Sequence, residues 1–286
     1  MPRISLRLLP LLALSLTAAH AATILTENFN SYTPGVLPTG PAPGIWANPS
    51  PGIIDDNDSL FTRVVTDTTN RFGQGTSNQY LRLADTSNAN SALNYNLAIN
   101  DKPIGQVGTL SFNFYDPSGD GAQGNGWLLR IGTGAGNGAT AFGLFLMNGQ
   151  LRVATTNNVE PNSTAFATYA LDTVHSLTVF FNSSSSAVSY GTNSLAANTM
   201  DVWLNGTIIA TGLARSGGTV GDQTIDSFGF TRKVSGTAGS DFVGELLLDN
   251  IAAYSGVETS AIPEPSSIAL LGGAGVMFAA LLRRRR

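Results

Sequence analysis

The chain has 286 residues, 15 Lys and Arg against 19 Asp and Glu, two histidines and no cysteine. Without cysteine there is no disulfide framework, thiol catalyst or cysteine metal site, and with His20 in the leader described below, His175 alone cannot build a multi-histidine zinc centre. Setting aside Arg3, Arg7, Arg283 to Arg286 and Glu264 leaves nine basic and eighteen acidic residues, a net charge of −9 that excludes a nucleic-acid partner.

Residues 1–21 read as a signal peptide. Arg3 and Arg7 precede the apolar run Leu8 to Ala18, and Ala19-His20-Ala21 places small residues at the two positions that signal peptidase reads. The cut is expected after Ala21.

Residues 22–255 read as one large β domain, rich in Gly, Asn, Ser and Thr and poor in charge. Strands are expected at 24–29, 60–65, 80–84, 92–98, 110–115, 127–132, 142–147, 151–155, 176–181, 187–190, 201–204, 207–211, 225–230 and 245–254. Two-residue alternation is clear in LSFNFY, where Leu110, Phe112 and Phe114 share a face, and in SLTVFFN, where Leu177, Val179 and Phe181 do. Asn148-Gly149 and Asn205-Gly206 each mark a tight hairpin, because both residues tolerate the positive φ of a type I′ turn. Many short strands at this spacing imply an antiparallel sandwich or barrel.

Several constellations in the body invite a chemical reading. Trp46 follows the Pro-rich PTGPAPGI stretch and is the tryptophan expected to be exposed for a sugar ring, whereas Trp127 and Trp203 lie in apolar strands and read as core. Asp55, Asp56 and Asp58 form an oxygen-rich loop of the kind calcium takes; no other cofactor is expected, and solvated turns explain the same residues. Asp116 and Asp120 make a second, weaker candidate. The run Gly132 to Gly138 lacks the Lys-Ser/Thr of a phosphate loop and reads as a rim loop. His175 reads as a turn residue. No catalytic residue is assigned: Glu27, Glu160, Glu245 and Glu258 are far apart in sequence, and Glu245 and Asp249, on one strand face, stand ~13 Å apart.

Residues 256–265 read as a linker ending in Pro263-Glu264-Pro265, and residues 266–286 as a short transmembrane helix with a basic tail. The uncharged stretch from Ile268 to Leu282 would span ~22 Å as a helix, and Arg283, Arg284, Arg285 and Arg286 form a stop that stays on the cytoplasmic side.

These three features in order resemble the PEP-CTERM sorting domain. The resemblance implies an exosortase-type membrane protease as partner, with signal peptidase acting at the other end. It also implies transient membrane anchoring through the C-terminal helix, export across the inner membrane of a Gram-negative bacterium, and a place at the cell surface or in an exopolysaccharide or biofilm matrix.

The body resembles the concanavalin A-like, laminin-G-like jelly rolls in its opening ENFNSYTPGVLP, its hairpin DVWLNGTIIAT and its closing GELLLDNIAAY. That likeness implies first and last strands in one sheet. The expected activity is non-catalytic binding of polysaccharide; the alternatives are a polysaccharide hydrolase or lyase on the same fold and a passive structural coat protein.

Overall fold

The structure is a computed structural model and describes residues 21–35, 60–85, 94–98, 103–118, 126–134, 136–155, 159–216, 222–233 and 244–263. The described strands, in chain order, are β1 (Ala22–Glu27), β2 (Leu60–Thr66), β3 (Gln79–Asp85), β4 (Asn94–Ala98), β5 (Val107–Tyr115), β6 (Gly126–Gly132), β7 (Thr140–Met147) and β8 (Gln150–Thr155). They continue with β9 (Glu160–Pro161), β10 (Ala167–Thr168), β11 (Val174–Asn182), β12 (Val188–Tyr190), β13 (Asn193–Leu195), β14 (Thr199–Leu204), β15 (Thr207–Ala214), β16 (Ser227–Lys233) and β17 (Gly244–Ser255).

Two antiparallel sheets face each other. Sheet A runs β15-β14-β11-β5-β17-β3-β2, with β1 added to β17; sheet B runs β10-β8-β7-β6-β16-β4, with β9 on β8. The chain crosses between sheets from β3 to β4, β4 to β5, β5 to β6, β10 to β11, β15 to β16 and β16 to β17, which makes the sandwich a jelly roll. The core between the sheets takes alternate residues of both. Leu110, Phe112 and Phe114 meet Phe230 and Tyr169, with Phe112 to Phe230 at 5.3 Å and Phe114 to Tyr169 at 5.1 Å between ring centres.

Each expected strand is present, and the first and last strands do pair: β1 lies against the second half of the twelve-residue β17, whose first half takes β3. Between those halves β17 bulges after Asp249, with Asn250 at φ 52°. Asn148-Gly149 and Asn205-Gly206 turn their hairpins with all four φ positive, as their sequence requires. The short strands β9, β10 and β13 were not expected, being two or three residues long and without alternation.

The outer face of sheet A is covered at one end. The β12–β13 hairpin packs Tyr190 and Leu195 on Phe180, and Val257 and Ile262 join the same cluster. Residues 256–262, read from sequence as linker, are tied down by Gly256 N to Val107 O (2.8 Å), Glu258 N to Thr109 Oγ1 (2.9 Å) and Thr178 Oγ1 to Ala261 O (3.0 Å). Pro263 is exposed. Among the described residues no helix is long and apolar enough to cross a membrane, and the expected helix at 266–286 lies outside them.

Candidate functional site

Opposite the covered end, the outer face of sheet A is built by strict alternation in β2, β3 and β17. Val64, Leu81, Leu83, Leu246 and Leu248 turn inward and are buried, so Arg63, Val65, Tyr80, Arg82, Glu245 and Leu247 turn outward. Register sets Arg63 directly across from Arg82. Like charges so placed repel, and Glu245 offsets part of this by accepting from Arg82, with Nε to Oε2 at 3.0 Å and Nη2 to Oε1 in an ion pair. An open depression of about 400 Å³ lies beside the two arginines, lined also by Pro34, Gly35, Val64, Val65 and Thr66.

The loop 67–78 supplies the next part of this face. Asp67 accepts from the backbone N–H groups of Arg71 and Phe72, both at 2.8 Å, which folds the loop down over β3. Phe72 then packs on Tyr80 at 5.4 Å, and the Arg71 guanidinium stacks 4.5 Å from the centre of the Tyr115 ring. Tyr115 donates to Asp172 at 3.2 Å. Burial lifts the phenols of Tyr80 and Tyr115 above their ordinary value, so both stay neutral at pH 7. The surface thus presents guanidinium groups and a stacked tyrosine along one sheet face. Planar forks of this kind take carboxylate or sulfate groups two oxygens at a time.

The carboxylates nearby have structural work. Asp249 is buried beneath the loop, accepts from Asn78 Nδ2 (2.8 Å), Gln74 Nε2 (3.1 Å) and Asn250 N (2.7 Å), and burial pushes its carboxyl up to about 6. Glu27 accepts from Phe29 N (2.6 Å) and Tyr32 OH (2.8 Å) beside a second depression of about 400 Å³, lined by Thr26, Asn28, Asn250, Ile251 and Ala252. Glu245 and Asp249 share the outer face, but one is ion-paired and the other buried. Among the described residues no three His, Cys, Asp or Glu side chains gather as a metal site.

The residues singled out from sequence fall variously. Trp46, Asp55, Asp56, Asp58, Asp120, Ala19, Glu264, Pro265 and Arg283 to Arg286 lie outside the described residues; Ala21 stands half-buried just before β1. Asp116 is buried and accepts from the Tyr169 hydroxyl. Trp127 is core, whereas Trp203 is half-buried on the outer face against Phe180, because its position in β14 has the opposite parity to Val202. His175 is not in a turn. It is the second residue of β11, buried, 5.3 Å from Phe114, with Nε2 2.8 Å from Ala170 O and Nδ1 accepting from Asn205 Nδ2 at 2.9 Å. Arg63, Arg82, Arg71 and Tyr115 were not singled out. The alternation of LFTRVVT and QYLRLAD carries the signal for the first two; the stacking of Arg71 on Tyr115 depends on the fold of the loop.

Residues 261–286 match the PEP-CTERM protein-sorting motif. The chain therefore carries an exosortase sorting signal, which marks an exported protein of the cell envelope or surface. No curated protein matches the chain. Among solved structures, the carbohydrate esterase vb_24B_21 of the Shiga toxin-encoding bacteriophage phi24B is similar at 14% identity, over 83% of this chain and 100% of its own, with a TM-score of 0.46. The alginate lyase Aly36B is similar at 15% identity, over 82% of this chain and 97% of its own, with a TM-score of 0.47. The globular domain of T. cruzi calreticulin is similar at 10% identity, over 84% of this chain and 90% of its own, with a TM-score of 0.48.

Proposed function

We propose that this chain is a cell-surface or extracellular-matrix protein of a Gram-negative bacterium whose jelly-roll body holds a polysaccharide without cleaving it. Signal peptidase removes residues 1–21, and an exosortase-type protease acts at Pro263 to Pro265 and releases the tail. The observation that carries the binding role is the directly opposed pair Arg63 and Arg82 beside an open depression. A protein of net negative charge that sets two guanidinium groups against the one carboxylate of Glu245 keeps a local excess of positive charge on that sheet face, which suits anionic groups. The reading as a binder rather than a hydrolase or lyase is supported by the engagement of Glu27, Asp67 and Asp249 in holding local backbone and the 67–78 loop.

The test is a glycan array on the mature secreted protein. Acidic polysaccharides bind, added salt weakens the binding, and Arg63→Ala or Arg82→Ala lowers affinity about tenfold. No new reducing ends and no unsaturated products form. If such products appear, the hydrolase or lyase reading replaces this one; if no glycan binds, the passive coat reading does.

A further inference from the structure

Arg130 stands in the middle of β6 on the face of sheet B that points away from the core, since Leu129 and Ile131 on either side of it belong to the core. The residues directly across from it are Gly229 on β16 and Gly143 on β7. No side chain flanks it from either, yet it is only 4% exposed. Its guanidinium is held by three neutral acceptors: Nε donates to Thr231 Oγ1 at 3.0 Å, Nη1 to Thr140 Oγ1 at 2.9 Å and Nη2 to Asn137 Oδ1 at 2.9 Å. A guanidinium has five N–H donors, so one hydrogen remains on each terminal nitrogen.

Among the described residues no carboxylate is ion-paired with Arg130. Asp226, which reaches this side of the fold through its backbone N–H to Gly132 O, makes no such pair either. Burial alone pulls the guanidinium down to about 10, so it is a full cation at neutral pH. Glu27, Asp67, Asp201, Glu245 and Asp249 all belong to sheet A or the loop upon it, and Glu160 stands on β9, separated from β6 by β8 and β7. A buried ion without a counter-charge is costly, and an anion at the two spare hydrogens would offset that cost.

A second, independent group points to the same place. Ser216 is 3% exposed and its N–H donates to Ala141 O at 2.8 Å, but its Oγ has no hydrogen-bond partner. A Cβ built on Gly143 would stand 3.2 Å from that oxygen, so the orphan hydroxyl lies over the glycine that faces Arg130. Asn137 sits in the short 3-10 turn Asn137–Ala139, and its neighbours Gly136 and Gly138 are exposed, with nothing within 4 Å of where a Cβ would stand.

We propose that Arg130, Ser216 and the Asn137–Ala139 turn form an oxyanion site for a carboxylate group of the kind a uronic acid carries. One carboxylate oxygen takes a hydrogen from each terminal nitrogen, and the Ser216 hydroxyl donates a third bond. This site is on the opposite sheet from Arg63 and Arg82 and does not depend on polysaccharide binding there.

The experiment is a proton–nitrogen NMR titration of the mature, isotope-labelled protein with sodium glucuronate, sodium acetate, glucose and sodium chloride. The Arg130 Nε–H signal is identified by its loss in Arg130→Lys, and the Ser216 amide by its loss in Ser216→Ala. Both signals shift saturably with glucuronate and acetate, and neither moves with glucose or chloride. Tighter binding of glucuronate than acetate assigns part of the affinity to the sugar ring; equal binding assigns it to the carboxylate alone. Ser216→Ala weakens binding about fivefold to tenfold with the Arg130 signal retained, so the claim stays testable if Arg130→Lys does not fold. Absence of a shift with either carboxylate at 50 mM (roughly the millimolar limit of a weak site), or an equal shift with chloride, overturns the assignment.

Discussion

Asn78 Nδ2 lies 2.8 Å from Asp249 Oδ2, fastening the end of the 67–78 loop to the bulge of the last strand. The Asp249 carboxyl is pushed up to about 6 by burial, above the ~3.9 of an unfolded chain. The folded protein therefore binds a proton more readily than the unfolded one between those values. The stability this group contributes is full below about pH 4 and is lost as pH rises through 6. Urea unfolding of the wild type, compared with Asp249→Asn across pH 4 to 7, should show the difference in stability shifting against the wild type as pH rises. A difference that is flat with pH would contradict the burial of an ionisable group there.

His175 joins β11, the segment before it and the β14–β15 hairpin through two hydrogen bonds and two ring contacts. Replacing it by alanine removes a buried ring and strands two polar groups, at a cost of about 3–5 kcal/mol. Phenylalanine keeps the volume but leaves Ala170 O and Asn205 Nδ2 without their partner, at about 1–3 kcal/mol. Denaturant midpoints in the order wild type, phenylalanine, alanine are expected.

Calcium is expected to add little stability through Asp55, Asp56 and Asp58. A ligand at a hundred times its dissociation constant adds about 2.7 kcal/mol. A shift of many degrees in melting temperature, lost on Asp56→Ala, would establish a site there.

The sorting signal leads to the expectation of a transient tail. Peptide mapping of the protein in its final location should find nothing from Ile268 to Arg286, and Glu264→Ala should leave the precursor membrane-bound and uncut. Intact tail on the mature protein would instead mean a permanent anchor.

The fold was legible because alternation and Asn-Gly turns are local signals. Leu110, Phe112 and Phe114 announced their face, and Asn205-Gly206 its turn. The same signal separates Trp203 from Val202, so the strand alone placed it outside the core; apolar neighbours on both sides concealed that. The site was less legible because its geometry is made across strands. Arg63 and Arg82 are nineteen positions apart and meet only through the β2–β3 register. Arg130 and Ser216 both border Gly143, a relation that no spacing in the chain encodes. His175 reads as a turn residue from sequence because the residues that bury it, Phe114 and Tyr169, come from two other segments.

The strap of residues 256–262 leaves the sorting motif almost no slack. Ile262 is still packed in the Phe180 cluster, and Pro263 follows it directly. Pro263 therefore stands at the surface of the body, one residue beyond a packed side chain. An enzyme embedded in the membrane that cuts there must work with the whole sandwich crowded against the lipid headgroups, hairpin end down. The Arg63 and Arg82 face shares a sheet with that end, several strands away, so cargo already held on it would be carried to the membrane before the tether is cut.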